Sequence, residues 1–173
     1  MTEEEAEAIH RIVVMGPSAS GKTVVGRALA AALDLPFEDA DDFHAPTSVD
    51  KMSRGEPLDE ADRAPWLDAL ASRLASTPAL VLACSALGRA HRDALRVGGV
   101  RFVFLDAPAS VLLERLQQRE GHFAGTDLLP SQLARLEAPG EDETDVVTVV
   151  SVGTIDEVAA RAARALAARR GDE

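Results

Sequence analysis

The chain has 173 residues, 46% hydrophobic and 27% charged, which is enough apolar material for one well-filled core. With 18 Lys+Arg against 29 Asp+Glu, its formal charge of -11 excludes the usual basic surface for nucleic acid or anionic membranes. No run approaches the about 20 apolar residues of a membrane span, and the lone Cys84 has no partner for a disulfide. The acidic stretch Thr2-Glu3-Glu4-Glu5 is the opposite of a basic secretory signal. The expectation is a cytoplasmic protein forming one domain over 1–173.

In chain order, the apolar run Ile12 to Met15 predicts a first strand, followed by helical periodicity over Val24 to Leu33. A short strand carries Pro36-Phe37-Glu38 into an acidic loop. A helix follows over Ala61 to Leu74, with Asp59 as its N-cap and Trp66, Leu67 and Leu70 toward the core. Strands are expected at Ala79 to Ala83, Val100 to Leu105 and Val146 to Val150. Helices are expected at Ala109 to Gln118, Ser131 to Leu136 and Ala159 to Arg170, the last with Val158, Ala162, Ala165 and Leu166 on its apolar stripe. The strand runs are nearly continuous in apolar character, as in strands buried on both faces. Alternating strand and helix implies an α/β fold of three layers, a parallel five-stranded sheet with helices on both sides.

The first strand runs into Gly16-Pro17-Ser18-Ala19-Ser20-Gly21-Lys22-Thr23, a complete GxxxxGK[ST]. Glycines let the backbone turn so that its N–H groups face a β-phosphate, and the helix that follows adds its N-terminal dipole. Lys22 reaches β- and γ-phosphate oxygens, and the Thr23 hydroxyl is placed for Mg²⁺. The strand before and the helix behind supply the context that this motif requires, so a bound nucleoside triphosphate is expected. No NKxD follows to read guanine, and the length leaves little room for the coupling segments of a motor. A small-molecule kinase remains, which needs an acceptor pocket and a carboxylate to take the hydroxyl proton.

The loop Asp39-Ala40-Asp41-Asp42-Phe43-His44 offers that carboxylate at the carboxyl end of the second strand, where ligands bind in parallel sheets. On an extended backbone Asp39 and Asp41 point oppositely, one to metal and one to acceptor. A solvated turn or helix cap is the competing reading for the same loop. Arg63 either grips an anionic substrate with two bonds or pairs with Asp59 or Asp62.

Five segments resemble the gluconate kinases, a family of P-loop small-molecule kinases. They are DADDFH from Asp39, KMSRGEPLDEADRAPWL from Lys51 to Leu67, CSALGRAHRDALR from Cys84 to Arg96, REGHF from Arg119 to Phe123 and LEAPGEDE from Leu136 to Glu143. The resemblance covers nearly everything after residue 10, and the block ending in Trp66-Leu67 is specific. Four positions depart from it: Ala40 stands for the usual Gly, Ser48 for Asn, Gly88 for Lys and His91 for Tyr.

The resemblance implies ATP- and Mg²⁺-dependent phosphorylation of D-gluconate to 6-phosphogluconate, an acceptor region about 39–75, a lid about 119–130 and a homodimer. It makes Lys22, Asp41 and Arg119 catalytic, with Thr23 and Asp39 at the metal. It places His44, Lys51, Arg63, Ser85 and Arg92 around the substrate, although Lys51 and Arg92 also read as exposed charges and His44 as a loop brace. Arg115 and Arg119, four apart, project from one helix face and close over ATP, or else form a solvated face with Glu114 and Glu120. The segment Gly121-His122-Phe123-Ala124-Gly125 supplies the hinge of that lid. Cys84 reads as a small buried residue, since phosphoryl transfer to a hydroxyl needs no covalent step. The rivals are a shikimate-kinase-like enzyme, which also carries D-x-D, and a nucleotide-binding module without catalysis.

Overall fold

The structure, a computed structural model, describes residues 11–119 and 125–169. Five parallel strands form one sheet: β1 (Arg11–Met15), β2 (Phe37–Asp39), β3 (Leu80–Ala83), β4 (Arg101–Asp106) and β5 (Val146–Val150). Their order across the sheet is β2-β3-β1-β4-β5. The register pairs Val13 with Leu82 on one side and Phe102 on the other. Around the sheet lie α1 (Lys22–Leu33), α2 (Pro46–Ser53), α3 (Glu60–Ser76), α4 (Arg89–Leu95), α5 (Ala109–Gln118), α6 (Gly125–Arg135) and α7 (Ile155–Ala168).

Alternation along the strands sorts the core into two layers. Val13, Met15, Leu82, Phe102 and Phe104 point to the face covered by Trp66, Leu67, Leu70 and Leu74 of α3. Ile12, Val14, Val103 and Leu105 point to the opposite face, covered by Val25 and Leu29 of α1 and by Val158, Ala162 and Leu166 of α7. The three-layer α/β expectation is met. The edge strand β5 departs from it, because Thr148 and Val150 are exposed. Only one face of that strand is covered once it runs past Val146.

Two helices escape the sequence pattern. Pro46–Ser53 buries only Ser48 and leaves its apolar Val49 and Met52 exposed, so it presents no apolar stripe to the core. Arg89–Leu95 is one short helix whose inner side is a buried arginine, Arg92, beside Leu95. Among the described residues no helix is long and apolar enough to cross a membrane.

Parallel strands bring all their carboxyl ends to one edge of the sheet. The strand order then makes neighbours of segments far apart in sequence. The loop after β1, the Cys84–Ser85 end of β3 and the turn after β2 lie side by side there.

Candidate active site

Gly16 opens the phosphate loop with φ 151°, and a Cβ there would stand 2.8 Å from Ser20 Oγ and 3.0 Å from the Leu105 carbonyl oxygen. Only glycine allows this approach. At the far end Gly21 has φ 94° and caps α1, so the free N–H groups of its first turn face outward as an anion site. Ser151 Oγ donates to Ser20 O at 2.6 Å. Because the peptide is trans, that bond turns the Gly21 N–H to the opposite side. Lys22 Nζ bonds Pro17 O at 3.1 Å, arched over the loop. Burial pulls the Lys22 ammonium below its ordinary pKa, against the raising charges of Asp41 and Asp39. A phosphate would restore that charge.

After β2 the backbone curls into a 3₁₀ turn over Ala40–Phe43 instead of staying extended. Asp39 caps it, accepting from the Asp41 N–H at 3.0 Å, which is the competing turn-and-cap reading of this loop. The turn replaces the expected strand-like alternation of Asp39 and Asp41, and both carboxylates line one cavity. Thr23 Oγ1 donates to Asp39 Oδ2 at 2.7 Å, so hydroxyl and carboxylate converge beside Lys22. Asp41 lies on the acceptor side with its carboxylate open to solvent, its Oδ1 3.8 Å from His44 Nε2. Desolvation and the charge of Asp39 raise its pKa above the ordinary carboxylate value, with Lys22 and His44 opposing. Asp42 is absent from the cavity wall.

The cavity measures about 910 Å³ and continues from the phosphate loop to His44, Arg63, Trp66 and Ser85. His44 stacks on Trp66, ring centroids 4.5 Å apart and 10° from parallel. Trp66 in turn donates from Nε1 to Ala40 O at 2.8 Å, which fixes the acidic turn to α3. Burial, with Arg63 adding to it against Asp41, lowers the His44 pKa below its ordinary value. Cys84 is buried beneath Lys22, its thiol pushed up to about 12 by burial, so it stays protonated.

A family model described as shikimate kinase matches residues 18–167. Gluconokinase of Gluconobacter oxydans (strain 621H) is 47% identical over 152 residues, which cover 83% of this chain and 85% of that protein. The crystal structure of a gluconokinase from Sinorhizobium meliloti 1021 is 44% identical, with a TM-score of 0.87 over 95% of each chain. The chain belongs to the gluconokinase family. Shikimate kinase from Acinetobacter baumannii, 21% identical with a TM-score of 0.59 over 98% of this chain and 99% of that one, shares the fold.

Along the cavity wall stand Ser18, Ala19, Gly21, Lys22, Thr23, Asp39, Asp41, His44, Arg63, Ser85 and Arg119. Three expected ligand contacts are corrected. Arg92 is 1% exposed and grips buried Glu143 with bonds of 2.7 and 2.8 Å, so it braces α4 against the loop before β5. Arg92 also donates to Glu137 O at 2.9 Å, in the same loop. Lys51 bonds both oxygens of Asp62, the residue that also completes the cap of α3, and it stays off the cavity wall. Arg115, expected to close over ATP, donates to Ala19 O and Ser151 O and so buttresses the phosphate loop.

Arg115 and Arg119, expected on one helix face, part because α5 ends at Gln118. Arg119 has already turned extended, with φ -74° and ψ 100°, and so leaves the face that carries Arg115. Arg63 pairs with Glu60 at 3.0 Å, a partner not foreseen among Asp59 and Asp62. The residues Gly121, His122, Phe123 and Ala124 of the expected hinge lie outside the described residues.

Several wall residues carried no signal that sequence reasoning could use. Gln132 of α6 accepts from the Ser18 N–H at 2.7 Å, linking that helix to the phosphate loop across 114 positions. Glu60 and Arg135 also face the cavity, as does His91, which stood out in the sequence only as a departure from the family pattern. Helical periodicity marks apolar faces, and it is silent about which polar residue meets a ligand.

Proposed function

We propose that the chain transfers the γ-phosphoryl group of ATP to the terminal hydroxyl of D-gluconate, giving ADP and 6-phospho-D-gluconate. The observation that carries this reading is a single cavity holding a phosphate loop at one end and Asp41, His44, Arg63 and Ser85 at the other.

Asp41 takes the hydroxyl proton as that oxygen forms its bond to the γ-phosphorus and the bond to the β–γ bridging oxygen breaks. Desolvation and the charge of Asp39 raise the Asp41 pKa above the ordinary carboxylate value, which makes it a stronger proton acceptor. Lys22 and Arg119 stabilise negative charge on the moving phosphoryl group. Arg63 retains guanidinium N–H groups beyond its bond to Glu60 and binds the substrate carboxylate, while His44 and Ser85 meet hydroxyls. The Thr23 hydroxyl and Asp39 carboxylate, 2.7 Å apart, are hard oxygen donors that fit Mg²⁺. When bound, Mg²⁺ neutralises charge on the β- and γ-phosphates.

An ADP-release assay with D-gluconate and shikimate as acceptors tests the proposal. Gluconate should be used with kcat/KM at least about tenfold above shikimate, a discrimination that hydrogen-bonded pockets readily supply. Preference for shikimate overturns the substrate, and no release with either acid overturns the activity.

A further inference from the structure

Glu60, in the first turn of α3, offers each carboxylate oxygen to a different residue of the acceptor wall. Oε1 accepts from Arg63 Nη1 at 3.0 Å, and Oε2 lies 3.2 Å from His91 Nε2. An ionised carboxylate has no proton to give, so the shared proton sits on His91 Nε2. The contacts with His91 and then Arg63 draw the Glu60 pKa below its ordinary value, which keeps it the acceptor. With Nε2 committed as donor, a neutral imidazole carries its lone pair on Nδ1.

The Nδ1 edge is left uncovered by Gly88. That residue has φ -92° and ψ 149°, a conformation open to any side chain, so the backbone does not require glycine. A Cβ at 88 would stand 3.5 Å from His91 Nδ1 and 3.7 Å from Cε1, so any longer side chain would lie across the ring edge. Gly88 and His91 both line the cavity. Two of the chain's four departures from the family pattern therefore fall on one spot and act together: one supplies an acceptor atom, and the other keeps it open.

We propose that His91 Nδ1, oriented by Glu60 and exposed by Gly88, accepts a hydrogen bond from a non-reacting hydroxyl of the sugar acid and sets which configuration is preferred at that carbon. The inference rests on the gluconate reading above. Hydroxyl configuration is discriminated because an epimer cannot reach the acceptor and leaves it unpaired.

The test is steady-state kinetics of wild type, His91→Leu and Gly88→Val with D-gluconate and its C2-, C3-, C4- and C5-epimers, each protein checked by thermal melting. Gly88→Val covers the ring edge while the imidazole itself stays in place. Both variants should raise the gluconate KM about three- to tenfold, the span expected for one hydrogen bond. KM for ATP and kcat at saturating gluconate should stay within about twofold. Preference for gluconate over one epimer should shrink by the same factor in both variants. Unchanged gluconate KM in a folded variant overturns the role of Nδ1, and so does a joint rise in both KM values, which marks a structural effect. A wild type inactive on all five acids overturns the gluconate reading itself, and this inference with it.

Discussion

The two ends of the cavity are built by different means. At the phosphate end one continuous segment, Gly16 to Thr23, makes nearly the whole site from backbone geometry, with Asp39 and Arg119 added to it. At the acceptor end the wall comes from the 3₁₀ turn, α3, the end of β3 and α4, and its charged residues are paired with one another before any ligand arrives. A loop whose function lies in its backbone tolerates little choice, so its motif is readable. A wall of paired side chains can be met by many sequences, and a charge seen in the sequence there is spent on a neighbour as often as on a ligand.

Removing the Lys22 ammonium should break the phosphate end most severely. Lys22→Ala is expected to lower kcat at least about a thousandfold, the upper range for losing a positioned charge donor. Its circular dichroism and melting should be those of wild type. Full activity in the folded variant would remove the loop from the mechanism.

Asp41→Asn comes next, with a loss on the order of a hundredfold in kcat, typical of a missing general base. Asp42→Asn should retain most activity, since Asp42 is off the cavity wall. Asp39→Asn should chiefly raise the Mg²⁺ concentration needed for half-maximal rate. Kinetics of the three variants across a Mg²⁺ series would expose a wrong assignment if Asp42→Asn were the most damaged.

The Arg92–Glu143 pair sharpens the contrast between bracing and binding. Both side chains are almost fully buried, and leaving one unpaired costs about 3–5 kcal/mol. Glu143→Gln should therefore lower the denaturation midpoint clearly while the folded fraction keeps KM for both substrates. The Glu143 pKa is held down to about 2, first by hydrogen bonding from Arg92 and then from Arg96. A depressed carboxylate stabilises above its unfolded pKa of about 4.3, and that contribution fades as pH falls through about 2. Urea titrations between pH 2 and 6 should show a steeper loss of stability in wild type than in Glu143→Gln.

Arg63→Lys keeps the charge and loses the planar two-point grip. The gluconate KM should rise about tenfold and the ATP KM should barely move. Equal changes would assign Arg63 to structure. Lys51→Met should have the smallest effect, within about twofold on every kinetic constant, because Lys51 serves the cap of α3 from outside the wall.

By itself the sequence determined the sheet, both core layers and the phosphate loop, because each is a local matter. Buried parallel strands demand continuous apolar runs such as Ile12 to Met15, amphipathic helices demand a repeat, and Gly16 and Gly21 hold conformations that other residues resist. Tertiary structure alone decided the acceptor wall. Whether Arg92 met gluconate or Glu143 depended on a partner 51 positions away, and Arg115 became a buttress because Ala19 and Ser151 stood within reach. Even the acidic turn, local as it is, took its shape from Asp39 capping Asp41 and from Trp66 holding Ala40. A long charged side chain reaches whichever partner the fold brings near, and sequence spacing does not record that distance.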